Sequence, residues 1–314
     1  MSQLVNHKGV KLFPIGIGTW GIGGFANANP NNDDERQIEA LSYMLNMGMN
    51  FIEANVWTSE GRSLDLLSKA IKKSKVNRSK LFITQTIYTH SAPTLADAEN
   101  ELIAFRSKLE IDAVDSLQIS VMSFEKYGEV NLTKFLHKAL DSGFTKFISI
   151  TNANILYLNK IYREFSGQLF AHEIGLNFEI RENTDNGVID WASERDILNV
   201  VYQPLRRNRT LLRDWPLLRE LAYKYSKTQN QIILNWLVTL GMLPITKSEN
   251  IEHIDQYLDS LTFKMEKTDI LKISEFRPPH YHSPKAFYGS SGEGIRIDQL
   301  SNVFDEEYDK QNKL

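Results

Sequence analysis

The chain has 314 residues, a formal net charge of −3 and no cysteine. Hydrophobic residues make up 42% and charged residues 24%, which is ordinary for a globular protein with a large core. This composition excludes a disulfide framework, a thiolate metal site and a cysteine nucleophile, and it indicates neither a nucleic-acid nor a membrane partner. Because the opening residues contain no apolar segment typical of a signal peptide, we expect a cytoplasmic protein.

Short apolar runs alternate with amphipathic segments along the chain. Helical periodicity is clearest over 35–48, 95–110 and 131–143. Strands are predicted over 13–18, 50–54, 81–85, 115–120, 146–150, 169–176, 197–203 and 243–247. Eight strands, each followed by a helix, are typical of parallel βαβ units buried on both faces of the sheet. The fold class predicted is α/β, a (β/α)8 TIM barrel.

The periodic pattern stops near the C-terminus. We assign residues 1–276 to the barrel and residues 277–314 to a loop or tail packed on it, with a short helix over 298–310. Two histidines, His280 and His282, flank Tyr281 in this tail. Because no carboxylate lies near them in the sequence, no metal site is predicted.

Four stretches in order resemble the aldo-keto reductases. They are GIGTWGIGG (16–24), NFIEANVWTSEGRSLDLL (50–67), FISITNANI (147–155), and VVYQPL (200–205) together with residues 227–254. The resemblance implies a barrel with its active site at the C-terminal ends of the strands. It also implies carbonyl reduction with NADP(H) as cofactor.

The side chains with which that family does its chemistry are replaced in this chain. In the family a Tyr donates the proton, a Lys lowers the pKa of that Tyr, an Asp holds the Lys, and a His orients the substrate oxygen. The matching positions here, which we expect to cluster at the mouth of the barrel, are Glu53 for Asp, Thr58 for Tyr, Thr86 for Lys and Ser120 for His. Trp20 and Trp57 are the expected substrate-pocket residues. Since neither Thr nor Ser titrates near neutral pH, we expect no carbonyl reduction at family-like rates.

The positions that bind the cofactor in that family are matched more closely than the catalytic positions. By resemblance the NADP(H) site would consist of Thr151, Asn152, Glu173, Tyr202, Leu205, Lys247, Ser248 and His253. Lys247 and Ser248 match the pair that binds the 2′-phosphate, so NADPH should be preferred over NADH. Glu173 replaces a Gln and accepts but does not donate hydrogen bonds, His253 replaces an Arg, and Tyr257 replaces an Asn. The basic run at 206–209 is either a phosphate-binding loop or an exposed loop.

Several polar side chains at or near the replaced catalytic positions could take on new roles. Glu53 and Glu173 could form an acid–base pair with divided pKa values. The interpretation favoured by sequence is that Glu53 fixes the strand-end backbone and that Glu173 faces Asn152 or solvent. His172 and Glu173 are neighbours on a strand and therefore point to opposite faces. Tyr88 and His90 are interpreted as ordinary loop residues, although either could reach the pocket.

Three functions follow from these observations. The first is an aldo-keto reductase-like barrel that binds NADP(H) or another small ligand and is redox-inactive or repurposed, that is, a pseudoenzyme. The alternative is an NADP(H)-dependent oxidoreductase, or a lyase or isomerase, that uses substitute residues such as Glu53 or Glu173. The third is a protein that binds a protein partner through the exterior of the barrel.

Overall fold

The computed structural model describes residues 4–278. Its strands are β1 (Val5–His7), β2 (Val10–Leu12), β3 (Gly16–Gly18), β4 (Phe51–Ala54), β5 (Phe82–Ile87), β6 (Val114–Ser120), β7 (Thr145–Thr151), β8 (Leu169–Gly175), β9 (Leu198–Tyr202) and β10 (Leu243–Thr246). Strands β3 to β10 pair in parallel and in sequence order, and β10 pairs with both β9 and β3, so the sheet closes. The predicted (β/α)8 barrel is confirmed.

Helices connect the barrel strands. They are α1 (Asp34–Asn46), α2 (Arg62–Ser74), α3 (Leu95–Leu109), α4 (Met122–Tyr127), α5 (Glu129–Asp141), α6 (Ile155–Phe165), α7 (Glu182–Asp185), α8 (Val188–Ser193), α9 (Arg209–Leu212), α10 (Pro216–Tyr225), α11 (Gln229–Thr239), α12 (Ile251–Asp259) and α13 (Lys267–Glu275). Asp33 caps the N-terminus of α1, and its side chain accepts the Arg36 N–H. Just past α5, Gly143 has a φ of 71°, as expected for a residue that ends a helix. None of the described helices is long and apolar enough to cross a membrane.

The N-terminal region differs from the prediction. The strand predicted over 13–18 is shorter, because the Phe13 N–H donates to the side chain of Asn50 at 2.8 Å and not to a neighbouring strand. Before it lies an antiparallel hairpin, β1 and β2, that is not among the predicted strands. Strands of three residues are too short to show alternation, which explains the omission.

The proposed C-terminal segment lies almost wholly outside the described residues. Only Arg277 and Pro278 of that segment are described. The run 280–282 and the helix predicted over 298–310 are outside, so the domain division stays a prediction.

Alternation along the strands arranges the barrel interior in layers. Near the N-terminal ends, phenylalanine rings fill the barrel: Phe82 stacks on Phe170 with centroids 4.3 Å apart and on Phe51 at 5.6 Å. Leu12 of the hairpin belongs to the same buried cluster. This apolar floor closes the interior below the site, so polar groups above it are reached by water only from the other end.

Polar side chains occupy the layers above the floor. The hydroxyls of Ser116 and Ser149 are 2.7 Å apart on the neighbouring strands β6 and β7. Two residues further along β6, Gln118 pairs in register with Thr86 of β5. Inward-facing positions recur every second residue along each strand. The side chains at these positions change from apolar to polar toward the C-terminal mouth of the barrel.

The tight floor gives a prediction for stability. A Cβ atom at Gly16 would lie 2.9 Å from side-chain carbons of both Leu243 and Phe51. We expect Gly16→Ala to lower the free energy of unfolding by about 1–3 kcal/mol, since the closed barrel cannot relax around an added methyl group. Gly167→Ala is the control, because nothing lies within 4 Å of its Cβ position. Urea denaturation curves with equal midpoints for the two variants would contradict this account.

Candidate active site

A cleft of about 470 Å³ opens at the C-terminal ends of the barrel strands. This size suits a small-molecule ligand. Its walls include Gly18, Trp20, Phe25, Glu53, Asn55, Tyr88, Thr151, Asn152, Glu173, Tyr202, Leu205, Lys247 and Tyr257. The cleft therefore lies where a (β/α)8 barrel places its active site.

Four buried polar side chains form one hydrogen-bonded chain at the base of this cleft. The Thr86 hydroxyl donates to Glu53 Oε1 at 2.6 Å. Gln118 Nε2 donates to Thr86 Oγ1 at 3.0 Å and to Glu173 Oε2 at 2.8 Å. One amide and one hydroxyl thus connect two carboxyl groups from opposite parts of the barrel.

Burial shifts both carboxyl groups toward their protonated forms. Burial raises the pKa of Glu53 from 4.5 to about 7, against the opposing effect of the Thr86 hydrogen bond. Burial, and next the charge of Glu53, raise the pKa of Glu173 to about 8. Within residues 4–278, no Lys, Arg or His forms an ion pair or hydrogen bond with either carboxyl group. A proton therefore takes the place of a counter-cation near neutral pH.

This arrangement corrects the favoured interpretation of the two glutamates. The side chain of Glu53 bonds Thr86, whereas its backbone carbonyl accepts the Thr19 N–H at 3.2 Å. Glu173 bonds Gln118, and it is the Glu173 backbone carbonyl that accepts the Asn152 N–H. Both side chains point into the barrel because each occupies an inward-facing strand position.

The other two of the four replaced catalytic positions, Thr58 and Ser120, do not belong to this hydrogen-bonded chain. Thr58 lies fully buried in a 3-10 turn over Thr58–Gly61, and its hydroxyl donates to Asn55 Oδ1 at 2.8 Å. Ser120 ends β6, and its Oγ accepts the Met122 N–H at 3.2 Å. Of the four positions, Glu53 and Thr86 are hydrogen-bonded to each other, whereas Thr58 and Ser120 bond to other residues.

Aromatic rings form an aromatic wall beside the cleft, and of these rings Trp20 and Tyr88 line the cleft itself. Trp57 contacts Trp20 with ring centroids 5.1 Å apart and His90 at 4.5 Å, and it meets Tyr88 edge-on at 6.1 Å. Tyr88 itself lines the cleft, which corrects its interpretation as an ordinary loop residue. Burial, together with the charges of Glu53 and Glu173, holds the pKa of Tyr88 well above its ordinary value. Its phenol is therefore a hydrogen-bond donor that keeps its proton.

Beside the carboxyl groups lie residues that the resemblance assigns to a nicotinamide. The Tyr202 hydroxyl donates to Asn152 Oδ1 at 2.9 Å. The ring of Tyr202 covers Gly175, where a Cβ atom would lie 3.0 Å from the phenol oxygen. As expected, His172 faces away from Glu173: it is buried, and its Nε2 accepts the Ala153 N–H at 3.1 Å.

Lys247 stands at another part of the cleft, just past β10. Its Nζ forms an ion pair with Glu249 Oε1 at 2.9 Å. Ser248 Oγ accepts the Asn250 N–H at 3.0 Å, and Tyr257 lines the cleft nearby. His253 is exposed on α12.

The basic loop after β9 is neither wholly exposed nor wholly available for phosphate. Arg206 is fully buried in an ion pair with Glu179, and Trp215 Nε1 donates to the same carboxylate at 2.7 Å. The guanidinium of Arg207 lies 4.9 Å from the centre of the Phe25 ring. The backbone at 206–208 has positive φ throughout, a conformation that these residues rarely adopt. The buried ion pair of Arg206 holds the loop in this conformation.

Comparison with known proteins identifies the family to which the chain belongs. Residues 14–278 match the model of the aldo/keto reductase family. A similar sequence is methylglyoxal reductase DkgA of Escherichia coli (strain K12), 24% identical over 83% of this chain and 88% of that protein. The chain belongs to the aldo/keto reductase family.

Two solved structures have the same fold. An aldo-keto reductase from Klebsiella pneumoniae in complex with NADPH aligns with a TM-score of 0.76 at 17% identity, over 90% of this chain and 98% of that one. The aldo-keto reductase AKR2E5 of the silkworm, Bombyx mori, aligns with the same TM-score, 0.76, at 21% identity, over 95% of this chain and 98% of that one.

Three residues of the site were missed or undervalued at the level of sequence. Strand alternation alone could have found Gln118, because it lies two residues before Ser120 and therefore faces inward as well. The same counting carries Tyr88 inward from Thr86. Asn55 gave no signal, since its contact with Thr58 depends on the turn that follows β4.

The raised pKa of Glu53 predicts a particular dependence of stability on pH. The folded state binds this proton more tightly than the unfolded chain, so the stabilisation is fully present below about pH 4.5 and is lost as the pH rises through about 7. Glu53→Gln removes the titration. The unfolding free energy of the unaltered protein minus that of the variant should therefore fall by about 2 kcal/mol between about pH 5 and about pH 8.

Urea titrations across this range make the measurement. The exposed Glu252 on α12 provides the control variant Glu252→Gln, whose difference from the unaltered protein should vary little with pH. A difference for Glu53→Gln that stays constant across the range would contradict a raised pKa.

Proposed function

We propose that the cleft binds NADP(H) and that the chain reduces carbonyl compounds with a buried carboxyl group as its proton donor. The observation that carries the proposal is the Glu53–Thr86–Gln118–Glu173 chain, which holds two protonatable carboxyl groups at the base of the cleft. NADPH, when bound, supplies hydride.

The residues of the cleft fit such a cofactor. The ring face of Tyr202 suits stacking on a nicotinamide, and the amide of Asn152 suits its carboxamide. Protonated Glu173 offers an O–H donor as well as an acceptor, which removes the objection that a glutamate here could only accept. The amine of Lys247 suits a phosphate. The aldo-keto reductase from Klebsiella pneumoniae, which has the same fold, is in complex with NADPH, and this supports NADP(H) as the cofactor.

Glu53 is the proposed general acid. A pKa near the operating pH is the value that general acid–base catalysis favours, and the pKa of Glu53 is raised to about 7. As the substrate carbon is reduced, the Glu53 O–H bond breaks and its proton forms the new O–H bond of the alcohol. Glu53 is left as a carboxylate, stabilised by the Thr86 hydroxyl, and regains a proton from water entering the cleft.

The phenol of Tyr88 and the aromatic wall would position the substrate. Tyr88 keeps its proton, so its hydroxyl donates a hydrogen bond to a carbonyl oxygen without transferring the proton. The rings of Trp20 and Trp57 suit a planar or apolar substituent on the carbonyl compound. An aromatic aldehyde such as 4-nitrobenzaldehyde is therefore a suitable test substrate.

A redox-inactive, ligand-binding barrel is the second candidate. Thr58 favours it, because the residue at the usual proton-donor position is fully buried and bonded to Asn55. In that case, the protein binds NADPH but does not turn over. The same assay decides between the two candidates.

We expect Glu53→Gln to abolish proton transfer to the substrate. The variant keeps the shape and the hydrogen bond to Thr86 but has no proton to transfer, so kcat for NADPH-dependent aldehyde reduction should fall by about 10²–10⁴-fold. NADPH binding, measured by nucleotide fluorescence, should change by less than about threefold, because the loss is confined to the chemical step. The unaltered protein should also lose activity as the pH rises through about 7.

Glu252→Gln is again the matched control and should leave kcat unchanged. Turnover by Glu53→Gln at the unaltered rate would refute the role of Glu53. NADPH binding without turnover in the unaltered protein would favour the redox-inactive barrel.

A further inference from the structure

Glu249 lies two residues beyond Lys247, and its carboxylate is held against the amine. The two side chains pair at 2.9 Å, and each is about one third exposed, at 29% for Lys247 and 33% for Glu249. Burial opposes ionisation of Glu249, but the hydrogen bonds from Gln37 and Lys247 outweigh it and hold its pKa below the ordinary value. The carboxylate is therefore charged at neutral pH.

The rotamer of Glu249 is fixed from a second direction. The buried Gln37 donates from Nε2 to the same Glu249 Oε1 at 2.6 Å, and its own Oε1 accepts the Gly23 N–H at 2.7 Å. Arg36 Nε donates to the Glu249 backbone carbonyl at 3.1 Å. Glu249 is thus built into the junction between α1, the loop after β3 and the residues after β10, and is not a mobile surface side chain.

The fixed position of Glu249 affects the electrostatics around Lys247. Lys247 lines the cleft, and a Cβ atom at Gly21 would lie 3.8 Å from its Nζ, so the amine faces the loop that borders the cleft. The fixed carboxylate offsets the charge of this amine locally. A phosphate dianion placed beside Lys247 would also meet Glu249, whereas the hydroxyls of an unphosphorylated ribose could donate hydrogen bonds to that carboxylate.

We propose that Glu249 is a specificity-determining residue that weakens the preference for the 2′-phosphate and lets the cleft accept NADH as well as NADPH. This inference rests on the proposed nucleotide site. It modifies the expectation from sequence, in which Lys247 and Ser248 alone imply a preference for NADPH. It also agrees with the position of His253, an exposed imidazole that cannot make the bidentate contact of a guanidinium with phosphate.

The test is the dissociation constant of each nucleotide, measured by calorimetry for the unaltered protein, Glu249→Gln and Glu252→Gln. The unaltered protein should bind NADPH and NADH within about tenfold of each other. Glu249→Gln retains an oxygen acceptor for Gln37 and Lys247 but removes the charge, so NADPH should bind on the order of tenfold more tightly. NADH binding should stay equal or weaken.

Glu252→Gln makes the same change of net charge three residues further along the chain, in the first turn of α12, and should move the NADPH constant by less than about twofold, because Glu252 is exposed and its charge is screened. Glu249→Ala repeats the test if the Gln variant fails to fold. The gain in NADPH affinity should shrink at high salt.

The possible failures are distinguishable. Should both nucleotides bind while the ratio of their constants is the same in Glu249→Gln and the unaltered protein, the role of Glu249 is refuted and the nucleotide site stands. Should neither nucleotide bind to any of the proteins, the proposed function fails, and the inference fails with it.

Discussion

Two carboxyl groups are buried in the barrel interior with no cation bonded to them in the described part of the chain, and this constraint determines the character of the site. Taking a carboxylate out of water is costly unless a positive charge or several hydrogen-bond donors replace the water. Glu53 receives the Thr86 hydroxyl and Glu173 the Gln118 amide, and a proton supplies the remaining compensation. The site is therefore built around exchangeable protons near neutral pH. That property links its stability to its proposed chemistry.

The closed barrel makes this burial possible. The phenylalanine floor, with Phe82 stacked on Phe170, blocks water from the N-terminal end. Alternation then places Thr86 and Gln118 on neighbouring strands at one level, where they can connect carboxyl groups from β4 and β8. An open sheet would leave the same side chains solvated, and their pKa values would stay close to ordinary. The scaffold thus supplies the low-dielectric surroundings, and the substituted residues supply the protons.

Local sequence predicts the fold more completely than it predicts the contacts within the site. The alternation of apolar runs and helical segments was sufficient for the eight parallel strands, because each strand is buried on both faces and each helix on one. The pairing of Glu53 with Thr86 depends on the register between β4 and β5, and the burial of Thr58 depends on a turn with positive φ at Ser59 and Glu60. Neither feature has a local signal. Arg206 is similar: its sequence neighbours are basic, yet its partner, Glu179, comes from the loop after β8.

The central claim is that Glu53 carries a proton just below neutral pH, and infrared spectroscopy tests it directly. A protonated carboxyl group has a carbonyl band that an ionised carboxylate lacks. The account predicts that the spectrum of the unaltered protein minus that of Glu53→Gln shows this band at about pH 6, and that the band disappears as the pH rises through about 7. If Glu53 is ionised throughout this range, so that the band is absent at about pH 6, the account of the site is wrong.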